Sequence, residues 1–414
     1  MLTDAIVEEC RGQFPALVRA QDGRPVVYLD GPSGSQVPQR VIDAIAAYLS
    51  NTNANRHGRF ATSRESDAIL DAAHGAVADL LGADDPQCVW FGPNMTSLAF
   101  ALSRALGRTW RAGDRILVTR LDHDANVTPW VRAARDVGVE VDHVAIRPDD
   151  CTLDLDDLAS KLTDRTRLTA VGCASNLAGT VNPVGEICRL ARQAGSLSFL
   201  DAVHYAPHAP MDVAAWGCDF LGCSSYKFFG PHVGVMWGRR DLLEELDAYK
   251  VRPAPDSVPE RWMTGTQNHE GIAGTHAAVG YLEDLGRRVA PESADRRAAL
   301  RGAMDAITAY EADLVRLLIE GLLEMPAIRV HGITEPNRAA ERVPTVSITH
   351  RDLSPQEMAE RLGRAGIFVC DGNFYALPLT EALGLEPDGL IRLGLLHYNT
   401  RAEVERVLDE IRRL

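Results

Sequence analysis

At 414 residues the chain is longer than one ordinary hydrophobic core supports, so two domains of unequal size are expected. The composition is globular, with 46% hydrophobic and 24% charged residues, and a formal net charge of −14 argues against a nucleic-acid or anionic-membrane surface, both of which need clustered Lys and Arg. No apolar run approaches the roughly 20 residues that span a bilayer, and the opening MLTDAIVEECRGQF has no apolar stretch before a small-residue cleavage site, so no signal peptide is expected.

In chain order, PVVYLD (25–30) reads as a short strand and VPQRVIDAIAAYL (37–49) as an amphipathic helix. QCVWF (87–91) is a strand, followed by a helix through Leu98–Ala105. RILVT (115–119) is a strand and VTPWVRAARDVG (127–138) a helix closed by glycine. VEVDHVAI, RLTAVGC, LSFLDAV and DFLGCSS supply further strands, with PVGEICRLARQAG as a helix between two of them. Strands alternating with helices predict a mostly parallel sheet covered on both faces, with the ligand outside the C-terminal strand ends. RPAPDSVPERWMTGTQN (252–268) reads as a polar, proline-containing loop suited to an active site. A long charged helical region over 280–323 then leads to strands IRVHG and TVSITH, a helix PQEMAERLGRAG and a last helix RAEVERVLDEIRRL, the pattern of a smaller α+β domain. No internal repeat or low-complexity segment interrupts this order.

Eight cysteines are scattered without a CxxC pair, most of them in apolar runs, which fits reduced buried thiols and a cytoplasmic location. Asp201 ends the apolar strand LSFLDAV and points toward the ligand crevice, although an N-cap or an ion pair explains a lone acid better. Lys227 lies among Tyr226, Phe228 and Phe229, and desolvation there would lower its pKa, as a Schiff-base amine needs; a lysine that reaches solvent is the plainer alternative. FGPNMTSLAF sets Asn94, Met95 and Thr96 at a strand-to-helix junction, equally suited to a phosphate or an ordinary N-cap. GPHVGV lacks dinucleotide-loop spacing, and His204 with His208 has no completing ligand cluster, so no metal site is expected.

From YLDGPSGSQVP to RLGLLHYNT the pieces resemble, in order, the class V branch of the fold-type I pyridoxal 5′-phosphate enzymes, the cysteine desulfurase-like group. The resemblance implies a large cofactor-binding α/β domain over 26–275 with a mostly parallel seven-stranded sheet. It also implies an N-terminal segment, 1–25, packing with a smaller α+β domain over 276–414. LDHDANVTPW matches the segment whose histidine, His123, stacks on the pyridine ring. CASNLAGTVNP brings Asn176 near the cofactor hydroxyl. DAVHYAPH gives Asp201 to the pyridine nitrogen and His204, where glutamine is usual, to the ring hydroxyl. SSYKFFGPHVG gives Ser224 to the phosphate and Lys227 to the Schiff base, with Tyr226 in place of histidine. NMTS is the phosphate loop, with Met95 replacing a threonine. GTQN implies that Gly265 and Thr266 reach the phosphate of a neighbouring subunit, hence a homodimer with shared active sites. Arg392 matches the clamp on the substrate α-carboxylate.

His57, Arg59 and Arg64, with Asn373 and Tyr375, are expected around the substrate, or else form a solvated basic segment. In GIFVCDGNFYALP the desulfurases' sulfur-carrying cysteine falls at Tyr375, with Cys370 five residues earlier either a substitute or a structural thiol. The expected function is therefore β-elimination from a small, sulfur-containing L-amino acid, with Tyr375 as an acid near the leaving group. The alternatives are desulfuration to alanine through another thiol, transamination or epimerisation, and a non-enzymatic regulator.

Overall fold

The computed structural model, which describes residues 1–414, brings seven strands into one sheet. They are β1 (Val89–Gly92), β2 (Arg115–Thr119), β3 (Glu140–Val144), β4 (Thr166–Gly172), β5 (Leu197–Asp201), β6 (Phe220–Ser224) and β7 (Gly234–Gly238), in spatial order β1-β7-β6-β5-β4-β2-β3. Only β7 runs against its neighbours; the β6–β5–β4–β2–β3 pairs are all parallel. The central strands are nearly continuous apolar runs because helices cover both faces: all of β6 is buried, as are four of the five residues of β5. Helices α1 (Ala61–Leu81) and α2 (Met95–Gly107) belong to this layer, α2 starting on the Asn94 side chain, which accepts from the Ser97 amide at 2.8 Å.

Register decides where the site lies. Gly172, Asp201 and Gly222 stand side by side near the C-terminal ends of β4, β5 and β6. Antiparallel β7 then places Gly234 between Ser224 and Gly92. A Cβ on Gly234 would lie 2.4 Å from the carbonyl carbon of Asn94, so glycine lets the start of α2 close down on the strand ends.

Two elements differ from the sequence expectation. PVVYLD does not join the large sheet: Val27–Tyr28 pairs in parallel with Ile367–Phe368, and Val27 and Leu29 are buried in the core of the C-terminal region. The chain just upstream is tied to the same region, Gln21 donating to the Gly363 carbonyl and Arg11 to Glu403. The charged region 280–323 is two helices, α3 (His269–Val289) and α4 (Arg296–Leu323). Pro291 cannot continue the first, and the Asp295 side chain caps the second by accepting from the Ala298 amide. The expected boundary at 275 falls inside α3.

The C-terminal sheet is antiparallel, with β8 (Ile328–His331), β9 (Thr345–His350), β10 (Cys370–Gly372) and β11 (Leu390–Gly394) in the order β8-β9-β11-β10. Helices α5 (Pro355–Arg364) and α6 (Arg401–Arg412) pack on it, each opened by a capping box, Ser354 with Glu357 and Thr400 with Glu403. Arg392 stands in the middle of β11, opposite Ser347 on one side and Cys370 on the other. No helix is long and apolar enough to cross a membrane.

Candidate active site

A cavity of about 270 Å³ opens at the C-terminal ends of β4, β5 and β6. Asn94, Met95, Thr96, His123, Asn176, Asp201, His204, Ser224, Tyr226, Lys227, Tyr375 and Arg392 all line it. These expected residues come from loops after several strands of the large sheet and, far along the chain, from β11 and the segment before it. His57, Gly265 and Thr266 are exposed and do not line it, and neither does Asn373. His57 instead donates its backbone N–H to Asp67, at 3.1 Å.

Lys227 is buried, with its Nζ donating to the Pro32 carbonyl and lying 4.8 Å from the Tyr226 ring centroid. Burial, reinforced by the charge of Arg392, pulls its pKa down to about 7, so an appreciable share is neutral amine near neutral pH. Asp201, at the end of β5, accepts from the Val203 amide at 2.8 Å, and burial pushes its carboxyl up to about 6. His123 caps its own turn by accepting from the Ala125 amide at 3.0 Å, and burial lowers its pKa to about 4, leaving a neutral imidazole. His204 shares a 2.9 Å hydrogen bond with Thr345 and is likewise held neutral by burial. Arg392 donates to the Asn176 carbonyl at 2.9 Å and to Ser33 Oγ at 2.7 Å.

The donor set fits pyridoxal 5′-phosphate. The first amide of α2, that of Met95, donates to Ser224 Oγ at 3.1 Å, which joins a helix N-terminus and a hydroxyl in one anion-ready corner. Asn176 Oδ1 is buried without a hydrogen-bond partner, the kind of acceptor that a ring hydroxyl satisfies. A buried carboxylate, Asp201, and a buried, low-pKa lysine, Lys227, both line the cavity.

The sequence reading does not name Asp122, Ser33 or Phe374, all of which line the cavity. Asp122 left a signal: it is an acid just beyond the apolar strand RILVT. It accepts from the Gly172 amide at 2.7 Å and from Asn126 Nδ2 at 3.3 Å, and Asn126 in turn accepts from Trp130 Nε1. Burial, with the Asp201 charge added, raises it to about 8. Asp122→Ala is expected to orphan two buried donors and lower the stability of the cofactor-free protein by about 2–4 kcal/mol. Thermal melts of the two proteins measure this, and equal melting temperatures would remove Asp122 from the support of the site.

Phe374 and Tyr375 are consecutive left-handed residues, φ 55° and 58°, a conformation that costs a residue with a Cβ roughly 1–2 kcal/mol. Cys370 is the one cysteine that is not buried, and its Sγ lies 3.4 Å from Ser33 Oγ, beside Arg392. The 252–268 segment contains a short turn, Glu260–Trp262, and contributes nothing to the cavity of its own chain.

The family profile described as aminotransferase class-V matches residues 27–407. A probable cysteine desulfurase from Streptomyces coelicolor is 31% identical, over 97% of this chain and 95% of its own. A cysteine desulfurase from Pectobacterium atrosepticum is 30% identical, over 99% and 98%. Among solved structures, the apo cysteine desulfurase from Thermococcus onnurineus NA1 superposes with a TM-score of 0.88 at 26% identity, covering 100% of this chain and 99% of that one. The cysteine desulfurase CsdA from Escherichia coli gives 0.84 at 25% identity, covering 100% and 98%.

Proposed function

This chain belongs to the aminotransferase class-V family and is a pyridoxal 5′-phosphate-dependent enzyme, and from that premise we propose that it removes sulfur from a small L-amino acid, cysteine or a close analogue, releasing alanine. The observation that carries this reading is the meeting of Lys227, Asp201, His123 and Arg392 in one cavity, with the Cys370 thiol accepting a hydrogen bond from Ser33 of its lining. The relatives named as cysteine desulfurases support sulfur removal over the elimination expected from the sequence.

Bound in the cavity, the cofactor supplies an electron-withdrawing ring that stabilises negative charge at the substrate Cα. The chain's own residues do the rest. The Arg392 guanidinium takes the α-carboxylate in plane, a two-point contact that fixes the amino acid's orientation. Lys227 would hold the cofactor and, as a free amine, would take the α-proton, a role its lowered pKa suits. The Asp201 carboxylate would hold a proton on the cofactor's ring nitrogen, and the neutral His123 imidazole would pack against the ring. Cys370 Sγ attacks the substrate sulfur: an S–S bond forms, the Cβ–S bond breaks with its electron pair left on Cβ, Cβ takes a proton, Lys227 returns a proton to Cα, and the product leaves as alanine. A small thiol then reduces the persulfide.

Tyr375 favours a second reading. Its phenol stands at the cavity mouth, stacked on His123, where it can protonate departing sulfur in an elimination to pyruvate and ammonia. Product analysis with L-cysteine and a reducing thiol separates the two. Cys370→Ser is expected to lower alanine formation by at least about 10²-fold. Pyruvate as the main product overturns desulfuration, and alanine formation unaffected by Cys370→Ser overturns the role of this thiol.

Gly265 and Thr266, exposed on their own chain, support the further reading that they serve the cavity of a second copy in a homodimer.

A further inference from the structure

The segment after β10 uses its two left-handed residues to aim two aromatic rings at two functional side chains. The Asn373 side chain anchors it, accepting from the Tyr375 amide at 3.2 Å and donating to Glu386 at 3.3 Å. The Phe374 carbonyl accepts from Asn176 Nδ2 at 2.9 Å, and the Tyr375 carbonyl accepts from the Asp124 amide at 2.7 Å. With the backbone pinned at these points, the Phe374 ring centroid lies 3.8 Å from the Arg392 guanidinium carbon. The Tyr375 ring lies 5.3 Å from that of His123, tilted by 28°.

A guanidinium offers hydrogen bonds only around its edge; its faces accept stacked rings. On Arg392 the Phe374 ring occupies one face, while Asn176 and Ser33 hold part of the edge. A carboxylate therefore has to meet what remains of the edge in plane. The space over the covered face is closed to a substrate side chain, and the cavity of about 270 Å³ has to take the cofactor as well.

We propose that Phe374 is a specificity-determining residue: lying on the face of Arg392, it confines the enzyme to amino acids with a short side chain. The inference rests on the reading of Arg392 as the carboxylate clamp. It is tested on the cofactor-loaded enzyme by titrating L-alanine, L-methionine and L-phenylalanine and following the cofactor's absorbance, which reports binding without turnover. The wild type is expected to prefer alanine. In Phe374→Ala the preference of alanine over methionine and phenylalanine should fall by about tenfold or more, whereas Phe374→Leu, which keeps most of the bulk, should retain most of it. An unchanged preference in Phe374→Ala, or a wild type that binds phenylalanine as tightly as alanine, overturns the proposal. Arg392→Gln separates the two ideas. If it leaves alanine binding intact, the clamp reading fails; if it abolishes binding while Phe374→Ala leaves the preference unchanged, only the present inference fails.

Discussion

Lys227→Met is expected to abolish turnover, by about 10³-fold or more, and to make the cofactor-free protein more stable at neutral pH. The first effect follows if Lys227 is both the attachment point and the base, as proposed. The second follows from burial. Folding takes the Lys227 ammonium out of water with only the Pro32 carbonyl to receive it, and Arg392 adds a like charge. Its pKa therefore falls from 10.5 in water to about 7 in the folded chain. Between those values the unfolded state binds the extra proton, so stability rises with pH across that window. The penalty is fully present below about pH 7 and fades toward 10.5. The advantage of the Lys227→Met variant over wild type in thermal melts should accordingly be largest at about pH 6 to 7 and shrink at about pH 9 to 10. The same amine predicts that covalent loading of the wild type speeds up as pH rises through about 7, which stopped-flow absorbance traces would record. A methionine variant no more stable than wild type at about pH 6 would mean that the lysine is not charged and desolvated in the folded chain.

Asp201→Asn is expected to leave the cofactor attached to Lys227 yet cut turnover by roughly 10²–10⁴-fold. Asparagine has the shape of aspartate and retains an oxygen for the Val203 amide, so the strand end should keep its geometry. What it lacks is the negative charge that, in the proposed mechanism, would hold a proton on the pyridine nitrogen, and without that proton the ring would withdraw electrons poorly. In the folded chain burial sets the Asp201 carboxyl near 6, and a cationic partner pulls it lower, so it is ionised at neutral pH. An absorbance spectrum of the variant checks loading, and initial rates on the loaded enzyme check the chemistry. A loaded Asp201→Asn enzyme within about threefold of wild type would remove Asp201 from the mechanism.

The two residues with these large effects were the most legible in the sequence. Asp201 follows an uninterrupted apolar run, and Lys227 sits between aromatics just beyond another; local pattern alone puts both at C-terminal strand ends, where an α/β sheet presents its ligand. Arg392, Asn176 and His123 were legible only through motif resemblance, because nothing in their own neighbourhoods marks a pocket. Ser33 and Phe374 left no local signal. Ser33 matters because Arg392 reaches it across 359 residues of chain, and Phe374 because two residues in left-handed conformations turn its ring onto the same arginine.

The sequence by itself therefore determined the alternation of apolar strands and amphipathic helices, the mostly parallel sheet, and the acid and lysine at its ligand edge. These follow from residue periodicity and short-range sterics, which act over a few positions. Only the tertiary structure decided that Val27 and Leu29 leave the large sheet for the C-terminal core and that Asp122 braces Gly172. It also decided that His57 stays outside the cavity, and that Cys370, Ser33 and Phe374 gather around Arg392. Each of these depends on which distant surfaces bury one another, and that choice is made by packing over the whole chain.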